Sequence, residues 1–249
     1  MNNTKNLSNL LNNTTFHSKW NKKGNIKLGS IWSYSTLMGD DEIIIDKLGV
    51  AVCGTCGGHC AACKNSCYVK KSYRYSSVKL GHARNTLALM QDPARVGTEL
   101  SGYITRAKNK PAACRLDQSG EITGDEHLNA FCSLAADHPE IPFFCYTKNY
   151  AVVIPALLAG LVPENLTILI SVWHEYGIRE YNRVKHLDNV KAFVYDDGAF
   201  DYAAAGLDIT TWCKAYDDKG KLDHEITCQR CQKCYNRAAA SKVIGCKAH

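Results

Sequence analysis

A chain of 249 residues with 45% apolar composition can bury a full core without covalent staples. Its 13 cysteines therefore need another reason to be there, and a disulfide framework is a poor one, since it suits small secreted domains and an odd count leaves a thiol over. Residues 1–25 hold no apolar core of signal-peptide kind, no run approaches the ~18 apolar residues of a membrane span, and 30 Lys and Arg against 24 Asp and Glu leave a net charge of only +6. These features predict a soluble protein of a reduced cytoplasm, with no membrane partner.

Residues 1–25 are rich in Asn and poor in apolar pattern, and they read as a mobile arm or a loosely docked extension. Residues 42–53 read as a buried strand or hairpin that runs into a cysteine-dense loop holding Cys53, Cys56, Cys60, Cys63 and Cys67. Thiols crowd where a metal collects them, and a sulfur-only set admits iron–sulfur or zinc and disfavours harder metals. Two spacings within the loop draw three thiolates together: C-x3-C-x2-C through Cys56, Cys60 and Cys63, and C-x6-C-x3-C through Cys56, Cys63 and Cys67, followed by Tyr68. His59 is either a ligand or a hydrogen-bond donor near the site, or a residue facing solvent. The basic stretch that follows (Lys64, Lys70, Lys71, Arg74, Lys79 and Arg84, with Tyr68, Tyr73 and Tyr75) offers phosphate contacts and stacking to nucleic acid, or simply a solvated helix face. The small charge excess suits the plainer reading.

Residues 76–93 have helical spacing that stops at Pro93. Strand-like runs at 112–120, 142–149, 166–173 and 190–197 then alternate with helical ones near 125–139, 152–161 and 181–186. Apolar strands that do not alternate, joined by helices, predict an α/β chain with a mostly parallel sheet or barrel and its functional groups at strand ends. Ser119, Gly120, Glu121, Lys148, Ser171, His174, Glu175, Asp196 and Asp197 fall at such ends. Lys148 could hold a carboxylate or phosphate, whereas Glu121 reads equally well as a capping carboxylate and the His174–Glu175 pair as a surface pair. Cys114, Cys132 and Cys145 lie inside apolar runs and read as small buried hydrophobes.

Residues 201–217 offer one more strand, and the tail brings Cys228, Cys231 and Cys234 in a C-x2-C-x2-C group, with Cys213 and Cys246 as candidate fourth ligands. These gaps match ferredoxin-type loops and an auxiliary cluster. A closed four-thiolate zinc site would also staple a tail too short for its own core. The chain divides into an arm (1–25), an α/β body with the cluster loop (26–212) and a cysteine-rich tail (213–249). No phosphate loop, zinc-protease helix or nucleophile elbow occurs.

The C-x3-C-x2-C loop after a first strand, with Ser119-Gly120-Glu121 at the end of a later one, resembles the radical SAM superfamily. That resemblance implies a partial (β/α) barrel and a 4Fe-4S cluster held by Cys56, Cys60 and Cys63, with S-adenosylmethionine (SAM) on the iron left open. Glu121 would meet the SAM amino group, and a 5′-deoxyadenosyl radical would act on a substrate, with electrons from a donor protein. Two departures stand out: Ala62 takes the place of the aromatic residue usual before the third cysteine, and two further cysteines flank the trio. The C-x6-C-x3-C-Tyr spacing and the C-x2-C-x2-C ending also resemble a phage family, gene product 88. Two other functions are weighed. A first site closed by four thiolates implies an electron carrier, sensor or accessory factor, and zinc in the tail with the Lys64 to Arg84 stretch implies a nucleic-acid-binding protein.

Overall fold

The computed structural model describes residues 6–22, 26–214 and 225–247. Within the arm, Asn6 caps helix α1 (Leu7–Asn13) by accepting from the Ser8 and Asn9 amides. The chain then lies along two later helices, with Phe16 N–H donating to Gln91, Ser18 N–H to Glu99 and Trp20 Nε1 to the Leu100 carbonyl. Phe16 and Trp20 are buried, each contributing about 1.5–3 kcal/mol. Residues 6–22 thus pack on the body, the second of the two readings, through two aromatic anchors that their polar composition concealed; the rest of 1–25 lies outside the described residues.

Strand β1 (Trp32–Ser33) precedes an antiparallel hairpin of β2 (Glu42–Ile45) and β3 (Val50–Cys53), which delivers the chain to the cysteine loop. Two short helices, α2 (Ala61–Asn65) and α3 (Val69–Ser72), carry that loop into α4 (Ser76–Gln91). A further helix follows, α5 (Pro93–Thr105). Pro93 starts it as well as ending α4: Asp92 caps the new helix by accepting from the Arg95 amide at 2.9 Å, and proline at the first position gives up no needed donor. The expected rhythm then appears as β4 (Cys114–Leu116), α6 (Asp125–Ala136), β5 (Phe143–Thr147), α7 (Tyr150–Leu158), β6 (Leu166–Trp173), α8 (Ile178–Val184) and β7 (Val190–Asp196). Last come β8 (Thr211–Trp212), α9 (Cys228–Cys231) and β9 (Val243–Lys247).

Seven strands form one sheet in the order β1-β4-β5-β6-β7-β9-β8, and every neighbouring pair is parallel. From β4 to β7 each strand adds on the same side, so right-handed crossovers put α6, α7 and α8 on one face, where consecutive helices touch. The architecture is mixed α/β, as expected. The pairings do not establish a barrel, because β1 and β8 are edges of an open sheet. Nor did the tail's sequence suggest β9, which inserts between β7 and β8. Among the described residues no helix is long and apolar enough to cross a membrane.

The two faces of the sheet do different work. Phe143 and Cys145 of β5, Ile168 and Ile170 of β6, and Ala192 and Val194 of β7 pack toward the helices. Their alternates Phe144, Tyr146, Leu169, Phe193 and Ile244 belong to a second cluster on the other face, covered by Leu28, Ile31 and the tail's Tyr235. Tyr235 stacks on Phe144 with ring centroids 5.2 Å apart. Lys191, wholly buried, donates from Nζ to the carbonyls of Lys233 and Asn236 at 2.7 and 2.8 Å, so the turn after the tail's cysteines is tied to the sheet. Cys114 and Cys145 are buried within the apolar core, as read from sequence, and Cys132 packs half-buried against it.

Candidate functional site

A cavity of about 500 Å³ opens over the C-terminal ends of β4 to β7 and β9. Its sheet-side wall is every second residue of the strands and their extensions: Arg115 and Asp117, Tyr146 and Lys148, Ser171 and Trp173, Phe193 and Tyr195, Ile244 and Cys246. Strands buried on both faces show no alternation in sequence, so of this wall only the strand-end residues Lys148 and Ser171 and the tail's Cys246 are legible in it.

One rim is the first cysteine loop. At its start, a Cβ on Gly54 would lie 2.2 Å from the carbonyls of Met38 and Gly39, so only glycine lets the loop pass so close. The Thr55 and Cys56 amides then donate to Leu37 and Gly39 at 3.0 and 2.7 Å, which fixes Cys56 at the mouth. Cys56, Cys63 and Cys67 line the cavity with His59, whose Nδ1 sits 2.5 Å from the Cys56 carbonyl. Cys60, the N-cap residue of α2, does not line it, and Cys53 at the end of β3 is exposed. The opposite rim is the tail, from which Cys213, Cys228, Cys231, Cys234 and Cys246 line the same space. All thirteen cysteines are free thiols. The two cysteine groups, distant in sequence, thus share one cavity. Among the described residues no three His, Cys, Asp or Glu side chains come together as ligands of a single metal ion.

Burial pushes the Cys56 and Cys234 thiols up to about 12. It also raises Cys63, against the pull of the Lys148 ammonium beside it. Lys148 loses solvation as well, but the Cys63 thiol and the Glu121 carboxyl outweigh that loss and keep its pKa above the ordinary value. Its ammonium lies 5.3 Å from the Trp173 ring centroid. A cationic group thus stands beside the thiols of the first loop, where a thiolate would gain from it.

The Ser119-Gly120-Glu121 turn lies at this wall. Gly120 has φ +89° and a Cβ there would fall 1.8 Å from Thr36 Oγ1, so the turn admits only glycine. Glu121 is buried, which raises its pKa, and its two oxygens accept the Ile122 and Lys148 amides at 3.0 and 2.7 Å. Its carboxylate ties the end of β5 to the turn while lining the cavity. Ser119 Oγ is buried beside the Tyr73 hydroxyl without a well-formed hydrogen bond. Ser171 lines the cavity, and its carbonyl takes the Tyr150 hydroxyl at 2.6 Å. His174 and Glu175 lie elsewhere: His174, at φ 53°, turns its Nε2 to both Asp197 oxygens at 3.0 Å, and Glu175 is exposed. The basic stretch is partly engaged, since Lys64 pairs with Asp40 and Asp41 at 3.3 and 3.0 Å and Tyr73 accepts the Met38 amide.

Behind the turn, Asp117 Oδ2 and His127 Nε2 face each other at 3.4 Å. Burial pushes His127 down to about 3 and Asp117 well up, so each group is held toward its neutral form. Burial also lowers His82, to about 4. Both histidines refuse a proton that the unfolded chain accepts near pH 6.5, so the stability they contribute is complete above that value and falls as pH drops toward 4. Each unit costs about 1.4 kcal/mol per histidine, while Asp117 and Glu121, whose pKa values burial raises, contribute with the opposite sign over the same fall in pH. Thermal melts at pH 7 and pH 5 should show His127→Gln losing less stability on acidification than the wild-type protein; equal losses in the two would contradict the His127 assignment.

Residues 8–240 match the family described as gene product 88. No curated protein and no solved structure matches the chain. The match bears out the phage-family resemblance carried by the C-x6-C-x3-C-Tyr loop and the C-x2-C-x2-C tail, and nothing in the comparisons supports the radical SAM one. With its family profile covering nearly the whole chain, this protein belongs to the gene product 88 family.

Proposed function

We propose that this is an iron–sulfur protein with radical SAM-like chemistry, built on an open, partly barrel-like sheet. One observation carries the reading: eight thiols from the two loops line a single cavity over the ends of parallel strands, and no disulfide consumes them. Loops that bring eight thiols and one imidazole, that of His59, to that space suit iron–sulfur ligation. Cys56, Cys63 and Cys67, the C-x6-C-x3-C set, would hold a 4Fe-4S cluster with one iron facing the cavity. Four of Cys213, Cys228, Cys231, Cys234 and Cys246 would hold a second. When bound, such a cluster supplies a single electron to SAM, which opens radical chemistry on a substrate. Lys148 would hold negative charge on the first thiol group, Ser119 would offer a polar atom to a bound SAM, and Trp173 and Tyr195, stacked at 4.0 Å, would wall off water.

Anaerobic reconstitution with iron, sulfide and zinc counted, followed by EPR with and without SAM, tests it. The expected result is iron and acid-labile sulfide in equal amounts, a reduced-state EPR signal altered by SAM, and 5′-deoxyadenosine as a product. Zinc without sulfide overturns the reading. Intact iron–sulfur with no SAM binding or cleavage leaves a second reading, an electron carrier or accessory factor, which the closeness of Cys60 to Cys63 favours because it supplies a fourth thiol to close the site.

A further inference from the structure

We propose that the cavity receives a small molecule by an anionic group, carboxylate or phosphate, bound by Arg115. Arg115 lines the cavity from β4, its guanidinium carbon 4.5 Å from the Tyr146 ring centroid. Its Nε is buried and has no hydrogen-bond partner. The two carboxyl groups in the same wall are committed elsewhere: Glu121 accepts two backbone amides, and Asp117 accepts from Thr36 at 3.3 Å and faces His127. The charge-bearing groups around the guanidinium are phenols and thiols, of Tyr68, Tyr146, Cys228 and Cys234. An Nε–H cut off from water without an acceptor is costly, and the planar guanidinium fork matches a carboxylate or phosphate with two parallel hydrogen bonds.

The surroundings define the rest of the ligand. Tyr146 and Phe193 stand edge to face at 4.8 Å beside Arg115, giving an aromatic corner. About 500 Å³ is the size of an ordinary small-molecule site. The ligand class is therefore an apolar, aromatic-sized body bearing one anionic group. This inference goes beyond the iron–sulfur reading and does not require it.

The test uses the full chain, purified anaerobically, in calorimetric titrations with phenyl phosphate, benzoate and the neutral benzyl alcohol. Wild-type protein should bind at least one of the anions and prefer it to benzyl alcohol by about tenfold or more, the value of one charge-assisted contact; which anion binds decides between phosphate and carboxylate. Arg115→Gln should abolish that preference. If Arg115→Gln fails to fold by circular dichroism, Tyr146→Leu serves, since it removes the ring under the guanidinium and should weaken anion binding severalfold. Equal binding of all three compounds, no binding of any, or undiminished anion binding by the variant overturns the proposal. Iron and sulfide counts on the same samples report separately on the metal. An altered EPR signal in Arg115→Gln with anion binding intact would give the guanidinium to the tail's metal centre and also overturn the proposal.

Discussion

Cys67→Ser should strip the anaerobically loaded protein of about half its iron, about four of some eight atoms per chain, while Cys60→Ser leaves the count unchanged. The contrast follows from which thiols face the shared cavity: Cys56, Cys63 and Cys67 do, and Cys60, capping α2, does not. The two candidate spacings share Cys56 and Cys63 and differ only in this third thiol, so the pair of variants isolates the difference. Colorimetric iron and sulfide assays read the result directly. Equal losses in both variants would mean four thiolates and a closed cluster, the electron-carrier reading. Loss in Cys60→Ser alone would restore the C-x3-C-x2-C set.

Lys191→Met should lower stability by about 3 kcal/mol and the melting temperature by about 6–12 °C. The Lys191 ammonium holds the carbonyls of Lys233 and Asn236, and methionine fills the space while leaving both without a donor. Two charge-assisted bonds at about 1.5–3 kcal/mol each are lost, partly offset because the buried charge is gone too. The damage should be local: limited proteolysis should cut between residues 225 and 242, and iron should fall by the tail's share while the first loop keeps its own. A variant that melts like wild type with full iron would show that the tail is held by its apolar contacts alone.

Much of the sheet was legible because β5, β6 and β7 are short apolar runs bounded by Pro142, Asn165 and Asp188, a pattern that long-range packing had no reason to overrule. What was hidden has physical causes. Strands buried on both faces show no alternation, so nothing marked Arg115, Tyr146, Phe193 and Lys191 as inward-facing. Phe16 and Trp20 are single anchors in a polar segment, too sparse to give a periodic signal. His174 and Glu175 were drawn from the right place, a strand end, but the left-handed backbone at His174 carries its ring to Asp197 and away from the cavity. The thiols were plain as two groups; that they face one another depends on β9 entering beside β7, which a short apolar run in a polar tail does not announce.

That insertion imposes an order on the making of the molecule. Among the described strands β8 pairs with β9 alone, and β9 bridges it to β7. A nascent chain emerging from the ribosome can therefore assemble β4 to β7 with the first thiol loop in place while Thr211 and Trp212 still have no strand to join. Until residues 243–247 have emerged, the wall carrying Cys246 is missing, and the first loop faces an incomplete cavity.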